Sequence, residues 1–380
     1  MEITRLKAEN YDQLLNLLNY VFSRKNNRQV DFEKDMPKMW GHDDEHMGKH
    51  LGIFEEGNLV ACIGIYPFDV VVAGETLHFA TTGNIAVHPD FEGRGYMGAM
   101  VDVAMAELDR MNIDIARLGG LRSRYNRYGF EACGQNFTFT FTEKNRLRKF
   151  PNYKGDITFK QIDPEDKEAL GFTAELYNKN AIAVPRNAEN SYKCLTMWMN
   201  EPYLALRNGE PIGYVCASQN KVGIAEFDAV DLTALTHIIC AWQELVGGNI
   251  SFGRQMHQVD SIRVFSEVCE GCIAHSPSHF KIINWTKVTD AFLKLKATYC
   301  KLMPGELKVE IEGYGTIRMF VDENKAGCEA YNGKPDITLD PISATRYVFG
   351  TLPPIYTADA SPIAQSWFPL PLSWNGQDRV

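Results

Sequence analysis

The sequence predicts a mixed α/β protein: two successive mixed, mostly antiparallel sheets with flanking helices, then a third, smaller α/β unit. Three observations carry this reading. The chain has 380 residues, more than one hydrophobic core usually serves. Its first and middle parts each run through a hairpin of apolar strands into an amphipathic helix, and its last part alternates apolar and polar residues through several strands between two helices. A charged stretch with a proline and a glycine, RLRKFPNYKGD at 146–156, reads as a linker after the first unit. The expected units are residues 1–147, 148–283 and 284–380.

Taken in order, residues 10–22 place Leu14, Leu15, Leu17, Leu18, Val21 and Phe22 at helical spacing. Residues 50–54 and 58–68 form a hairpin around the turn EEGN. Residues 76–87 form another strand, followed by a glycine-bearing loop and a helix at 96–109. A short strand at 114–118 precedes GGLRSRYNRYGF. In the second unit, YLALRNGEPIGYVCAS (203–218) turns at Asn208 and Gly209, and 232–245 is a helix. No glycine loop joins strand to helix there, so a similar fold without an anion site is expected. The third unit holds a helix at 287–296, strands across 305–340 and a helix over ISATRYVF ended by Gly350. The tail carries Trp367, Phe368, Leu370, Leu372 and Trp374, too apolar for a loose end.

Composition narrows the function. Hydrophobic residues at 45% and charged residues at 23% describe a globular chain. A net charge of −9 disfavours nucleic acid as a partner, because phosphate backbones need a basic surface. No apolar run of about 18 residues marks a membrane span, and the opening MEITRLKAEN lacks a signal-peptide core. Nine scattered cysteines fit reduced thiols, so a cytoplasmic setting is expected.

The informative stretch is IAVHPDFEGRGYMGAM, residues 85–100. Glycines between a strand and a helix let backbone N–H groups converge on an anion at the helix start, and Arg94 can add a charge-assisted contact. The Gly-Lys-Ser/Thr of a nucleotide P-loop is missing. Gly93, Gly95 and Gly98 match GxGxxG by letter, but the strand follows a hairpin and no acidic ribose partner stands about 20 residues on. A ligand-free glycine turn is the plain alternative.

NIAVHPDFEGRGYMGAMV resembles the acetyl-CoA loop of the GCN5-related N-acetyltransferases, with Glu92 where that pattern has a basic residue and Met97 where it has a small one. The resemblance implies acetyl-CoA as cosubstrate and no metal. It places Gly93, Arg94, Gly95, Tyr96, Met97 and Gly98 at the pyrophosphate, the backbones of Ile85, Ala86 and Val87 along the pantetheine as an added strand would lie, and Gly120 and Leu121 beside the same cleft. YNRYGF (125–130) is similar to the family's Tyr-x-x-aromatic-Gly-Phe segment. By that likeness Tyr125 is the proton donor to the departing thiolate, a role a phenol can fill; a core aromatic is the bland alternative.

The order of units resembles the subgroup typified by the mycobacterial enhanced-intracellular-survival acetyltransferase: a catalytic domain, a degenerate second one, and a sterol-carrier-like domain. That likeness implies a homo-oligomer, trimer or hexamer, and a chain end threaded into the active site, making the terminal carboxylate of Val380 the proton acceptor. The expected acceptor is a primary amine of a small, cationic molecule, with an aminoglycoside-like drug, a polyamine and a lysine side chain all open. Two rivals are a CoA sensor without turnover and a carrier of a hydrophobic ligand in the third unit.

Two clusters remain. Cys269, Cys272, His275 and His279 lie within eleven residues, too close for zinc-finger spacing, and read as a surface loop with free thiols. HDDEH (42–46) reads as a solvated charge run, and with Trp40 it is a candidate cation-recognising wall of the acceptor pocket.

Overall fold

A computed structural model describes residues 2–323, 325–358, 361–373 and 375–378. Its described strands form three sheets. The first runs in the order Thr4–Arg5, His50–Glu55, Asn58–Val72, Glu75–Val87, Ile115–Leu118, Ser278–Ile282, Glu131–Cys133, with Ile182–Ala183 beside Asn58–Val72. The second runs Gly271–His275, Asn136–Phe141, Ile250–Gln255, Gly223–Ala229, Glu210–Ala217, Glu201–Arg207, Ile157–Gln161. Each is antiparallel except at one parallel pair, Glu75–Val87 with Ile115–Leu118 and Gly223–Ala229 with Ile250–Gln255. A parallel pair needs a crossover, here the helices Tyr96–Arg110 and Leu232–Val246.

The two sheets exchange strands. Asn136–Phe141, expected with the first unit, pairs with Ile250–Gln255 in the second sheet. Ser278–Ile282, expected with the second unit, pairs with Ile115–Leu118 and Glu131–Cys133 in the first. Boundaries at 147/148 and 283/284 therefore do not follow the sheets, each of which takes a strand from beyond its expected unit. The exchange buries Phe139 and Phe141 in one core and Phe280 in the other, so each unit's core is completed by a strand from its neighbour's stretch of sequence.

Local signals explain the remaining differences. The first helix, Tyr11–Asn26, outlasts its apolar stripe by four residues and ends where Asn27 turns left-handed at φ 50°. The strand Asn58–Val72 runs past the expected residue 68 because Ala73 (φ 50°) and Gly74 (φ 89°) make a second tight hairpin turn. The expected linker begins inside a helix, Glu143–Lys149, closed at its start by Thr142 and Asn145; Arg146 Nε donates to Gln243 at 2.7 Å and ties that helix to the second unit.

The third sheet, ordered Ala326–Tyr331, Gly315–Val321, Gly305–Ile311, Ile337–Leu339, packs with helices Trp285–Tyr299 and Pro341–Phe349. That core is continuous with the far end of the first sheet through Val70, Val72, Leu77 and Phe79. Trp367, Phe368, Leu370 and Leu372 of the tail are buried in it, as their apolarity demands. Lys296 Nζ donates to the carbonyls of Trp367 at 2.8 Å and Pro369 at 3.0 Å. The tail then crosses the exchanged strands, with Gln135 N donating to Leu372 O at 3.1 Å, and enters the second unit.

Candidate functional site

The parallel pair of the first sheet forks. Its register runs from Phe79↔Ile115 to Thr82↔Leu118, and Glu75–Val87 then continues without it. At the fork Asn84 takes a left-handed φ of 52°, opposite a register shift between Cys62 and Gly64. A buried chain of hydrogen bonds holds it there. Asn84 Nδ2 donates to the Tyr66 hydroxyl at 2.6 Å, which donates to His50 Nε2 at 2.7 Å. Burial pushes the His50 pKa down to about 4, so the ring is neutral and Nε2 can accept. On one side Ala86 and Val87 pair with Cys62 and Ala61. The other edge of residues 85–87 has no described strand partner, as an extended ligand requires.

Beyond Val87 the chain turns through Pro89–Phe91 to Gly93 (φ 79°) and Gly95 (φ 82°), then enters Tyr96–Arg110. A Cβ at either glycine would meet no described atom within 4 Å, so it is the backbone angle that asks for glycine there. Gly95 is the N-cap, without a side-chain cap and with no acid in the first turn. The N–H groups of that turn are left for an outside acceptor, and the helix dipole favours an anion. The matching helix of the second unit differs: the Asp231 carboxylate accepts from Ala234 N at 2.7 Å and occupies its own helix start. The Tyr96 hydroxyl donates to Glu55, fixing the start of Tyr96–Arg110 to the hairpin of the first sheet.

A cavity of about 800 Å³ opens over this helix start. Ile85 and Val87 form one wall, Gly93, Gly95, Tyr96, Met97 and Gly98 the floor, and Val21 and Phe22 of the first helix the opposite side. Arg24, Lys25, Arg124 and Arg127 ring it, with Glu92 among them. Four cations at one opening, on a chain of net charge −9, suit a polyanion. No local signal in the sequence marks these four as a group. Arg24 and Lys25 follow the apolar stripe as ordinary solvated charges, and Arg124 and Arg127 flank Tyr125 within an aromatic pattern.

Other expected residues stand elsewhere. Arg94 turns away: its guanidinium lies 4.6 Å over the Phe91 ring and lines a neighbouring cavity of about 690 Å³ with Tyr20, Glu55 and His88. Ala86 faces the core with its side chain and can serve only through its backbone. Leu121 is exposed and outside the cavity lining. Gly120 (φ 133°) backs onto Tyr125, where a Cβ would come within 2.8 Å of the ring. Tyr125 ends the short turn Arg122–Tyr125, buried to 5% exposure among Tyr96, Leu118 and Phe130. Burial raises its pKa above the ordinary 10.0, against a hydrogen bond from Arg124, so the phenol keeps its proton. Val380 lies outside the described residues, as does Trp374.

The two remaining clusters are dispersed. The strand exchange sets Cys272 and His275 on the exposed strand Gly271–His275 of the second sheet, and His279 on Ser278–Ile282 of the first. Among the described residues no three His, Cys, Asp or Glu side chains converge as metal ligands. Asp43 caps the turn Asp44–Met47 and holds His46 Nδ1 at 2.8 Å. Trp40 is no cation-recognising wall: it is buried, stacks on His50 at 5.6 Å and donates its indole N–H to Phe32 O.

Residues 2–133 match the family model described as an acetyltransferase (GNAT) domain. No curated protein matches the sequence. Solved structures similar to the whole chain include a conserved protein of unknown function, probable N-acyltransferase, from Enterococcus faecalis V583 (17% identity, TM-score 0.66, 100% of this chain and 97% of that one). They also include a GCN5-related N-acetyltransferase from Anabaena variabilis (14%, TM-score 0.69, 98% of each). A third is Eis1 from Mycobacterium abscessus (16%, TM-score 0.63, 99% of this chain and 98% of that one). At these identities the likeness concerns the fold, which the chain shares from end to end.

Proposed function

We propose that this protein moves an acetyl group from acetyl-CoA to a primary amine of a small, cationic acceptor, by direct attack within a ternary complex. The observation that carries the reading is the uncapped helix start at Gly95, facing a cavity ringed by Arg24, Lys25, Arg124 and Arg127 beside a free strand edge. One polyanion with an amide-bearing arm satisfies all three features. Acetyl-CoA supplies an acyl carbon activated as a thioester.

The chain's own groups then have these roles. First-turn N–H groups at Tyr96, Met97 and Gly98 hold the pyrophosphate, and the basic rim neutralises it. Backbone groups of residues 85–87 align the pantetheine amides. Tyr125, kept protonated by burial, gives its proton to the sulfur as the thiolate leaves. The terminal carboxylate of Val380 takes the proton that the amine loses on forming its new C–N bond. Burial raises the pKa of Cys62, Cys133, Cys194, Cys216, Cys240, Cys269, Cys272 and Cys328 above the ordinary value, which supports transfer without an acyl-cysteine.

A panel of amines assayed for free thiol released from acetyl-CoA tests the reading. Amine-dependent release supports it. Binding of acetyl-CoA without release by any amine favours the second reading, a CoA sensor, for which Glu92 at the cavity rim is the motivating feature.

A further inference from the structure

The second sheet repeats the fork of the first. Gly223–Ala229 and Ile250–Gln255 pair only at Gly223↔Ser251 and Ile224↔Phe252, then part. In the first unit the fork leads to the large cavity described above. In the second it encloses about 60 Å³, and the chain's own tail fills it: Asn375 and Gly376 line the remaining space with Glu226, Asp228 and Arg254.

The tail is held there by buried charge. Arg186, whose side chain is 2% exposed, donates through Nη1 and Nη2 to Glu226 at 2.7 and 2.9 Å, and through Nη2 to Asp378 at 2.8 Å. The Tyr177 hydroxyl donates to the other Asp378 oxygen, and its ring lies 3.5 Å beneath the guanidinium. Asn375 Nδ2 donates to Glu226 at 2.5 Å, and Tyr214 donates to the same carboxylate at 2.7 Å. From the first unit, Lys38 Nζ donates to the Gln377 carbonyl at 2.9 Å. Apolar residues would bury a tail at no greater cost, since buried ion pairs seldom add stability. What charge adds is register: a slip of one residue takes Asp378 off Arg186 and leaves buried charges unpaired.

We infer that the fork of the second unit is a binding site for the chain's own segment Asn375–Asp378, and that Arg186, Glu226 and Tyr177 are positioning residues for the transfer reaction. They fix where the last two residues, which span at most about 7 Å, can reach. The inference rests on the function proposed above, and it gives the second unit, with its capped helix, a task of its own. The Asp231 cap and the occupied fork both exclude a second cosubstrate.

The test uses full-length Asp378→Asn and Tyr177→Phe, both of which leave the Arg186–Glu226 pair intact, with Arg186→Lys as a third variant. Backbone hydrogen exchange is read over residues 370–380, over 88–98 and over Leu232–Val246. Steady-state kinetics are read alongside. The tail should exchange about tenfold faster or more in each variant with the other two segments unchanged. The kcat should fall at least tenfold while the KM for acetyl-CoA stays within about twofold, a split that general loosening of the fold would not give. Unchanged tail exchange overturns the binding site. A loosened tail with wild-type kcat overturns the positioning role. The exchange arm needs no turnover, so a wild type that acetylates no amine brings down the proposed function and leaves the tail site to be judged by exchange alone.

Discussion

Replacing Gly95 by aspartate should weaken acetyl-CoA binding about 10²-fold or more while leaving the fold standing. A Cβ at this position meets no described atom within 4 Å, so the apo protein suffers only from a non-glycine residue at φ 82°, about 1–2 kcal/mol. The ligand suffers more. A carboxylate at the N-cap can accept from its own helix start, as Asp231 does in the second unit, and so competes for the N–H groups that face the cavity. It also sets a negative charge about 5 Å from the pyrophosphate, which at an effective dielectric near 20 costs about 3 kcal/mol, or about 10²-fold in Kd. Gly95→Ala carries the same backbone strain without the charge and is the control. The assay is thermal unfolding with and without acetyl-CoA: saturation at about 100 times Kd stabilises the wild type by about 2.7 kcal/mol. The wild type should shift upward, Gly95→Ala somewhat less, and Gly95→Asp by the equivalent of at most about 0.4 kcal/mol. An Asp variant that shifts like the wild type refutes the anion cradle.

Four further outcomes follow from the geometry. Gly120→Ala drives a methyl to within 2.8 Å of the Tyr125 ring and should lower kcat about tenfold or more with acetyl-CoA affinity kept, read by kinetics beside a binding titration. His257 is buried with neither ring nitrogen bonded to a described group, and burial holds its pKa at about 4 against an unfolded value near 6.5. As pH falls from 6.5 to 4 the unfolded chain takes up the proton first, so about 3 kcal/mol of stability drains away; His257→Leu should therefore raise the Tm more at pH 5 than at pH 8, and equal gains would contradict the assignment. Residues added after Val380, or an amide in place of its carboxylate, should cripple kcat/KM while equal N-terminal additions are tolerated; a C-terminally tagged enzyme as fast as the untagged one removes the carboxylate from the mechanism. Activity should show no alkaline loss from Tyr125 below pH 10, because its pKa lies above the ordinary value and the donor form persists until pH passes it.

The parts of this fold that were legible are those with a local period or local punctuation. The helix Tyr96–Arg110, its glycine approach and the hairpin turn at Glu56 and Gly57 all declare themselves within a few residues. The second hairpin turn at Ala73 and Gly74 is equally local, a two-residue turn between valine-rich and threonine-rich runs. The strand exchange was not legible. Asn136–Phe141 and Ser278–Ile282 alternate as any strand does, and nothing local states which sheet completes them. The site divides the same way. The loop and Tyr125 stand out as motif, whereas the basic rim comes from Arg24 and Lys25 on one helix and Arg124 and Arg127 a hundred residues later, joined only by folding. The tail's apolar residues predicted burial, but its charged anchor pairs Asp378 with Arg186 across just over half the chain, beyond any sequence window.

The proposed reaction is transfer of acetyl from CoA to an amine in this cleft, with Tyr125 protonating the leaving sulfur. Single-turnover thiol release, at saturating acetyl-CoA with an accepted amine, tests it most directly when wild type and Tyr125→Phe are compared in one experiment. First-order, amine-dependent release is expected in the wild type, slowed about 10²-fold in the variant, with the acetyl-CoA Kd unchanged. Equal rates in the two proteins, or release that ignores the amine, would contradict it.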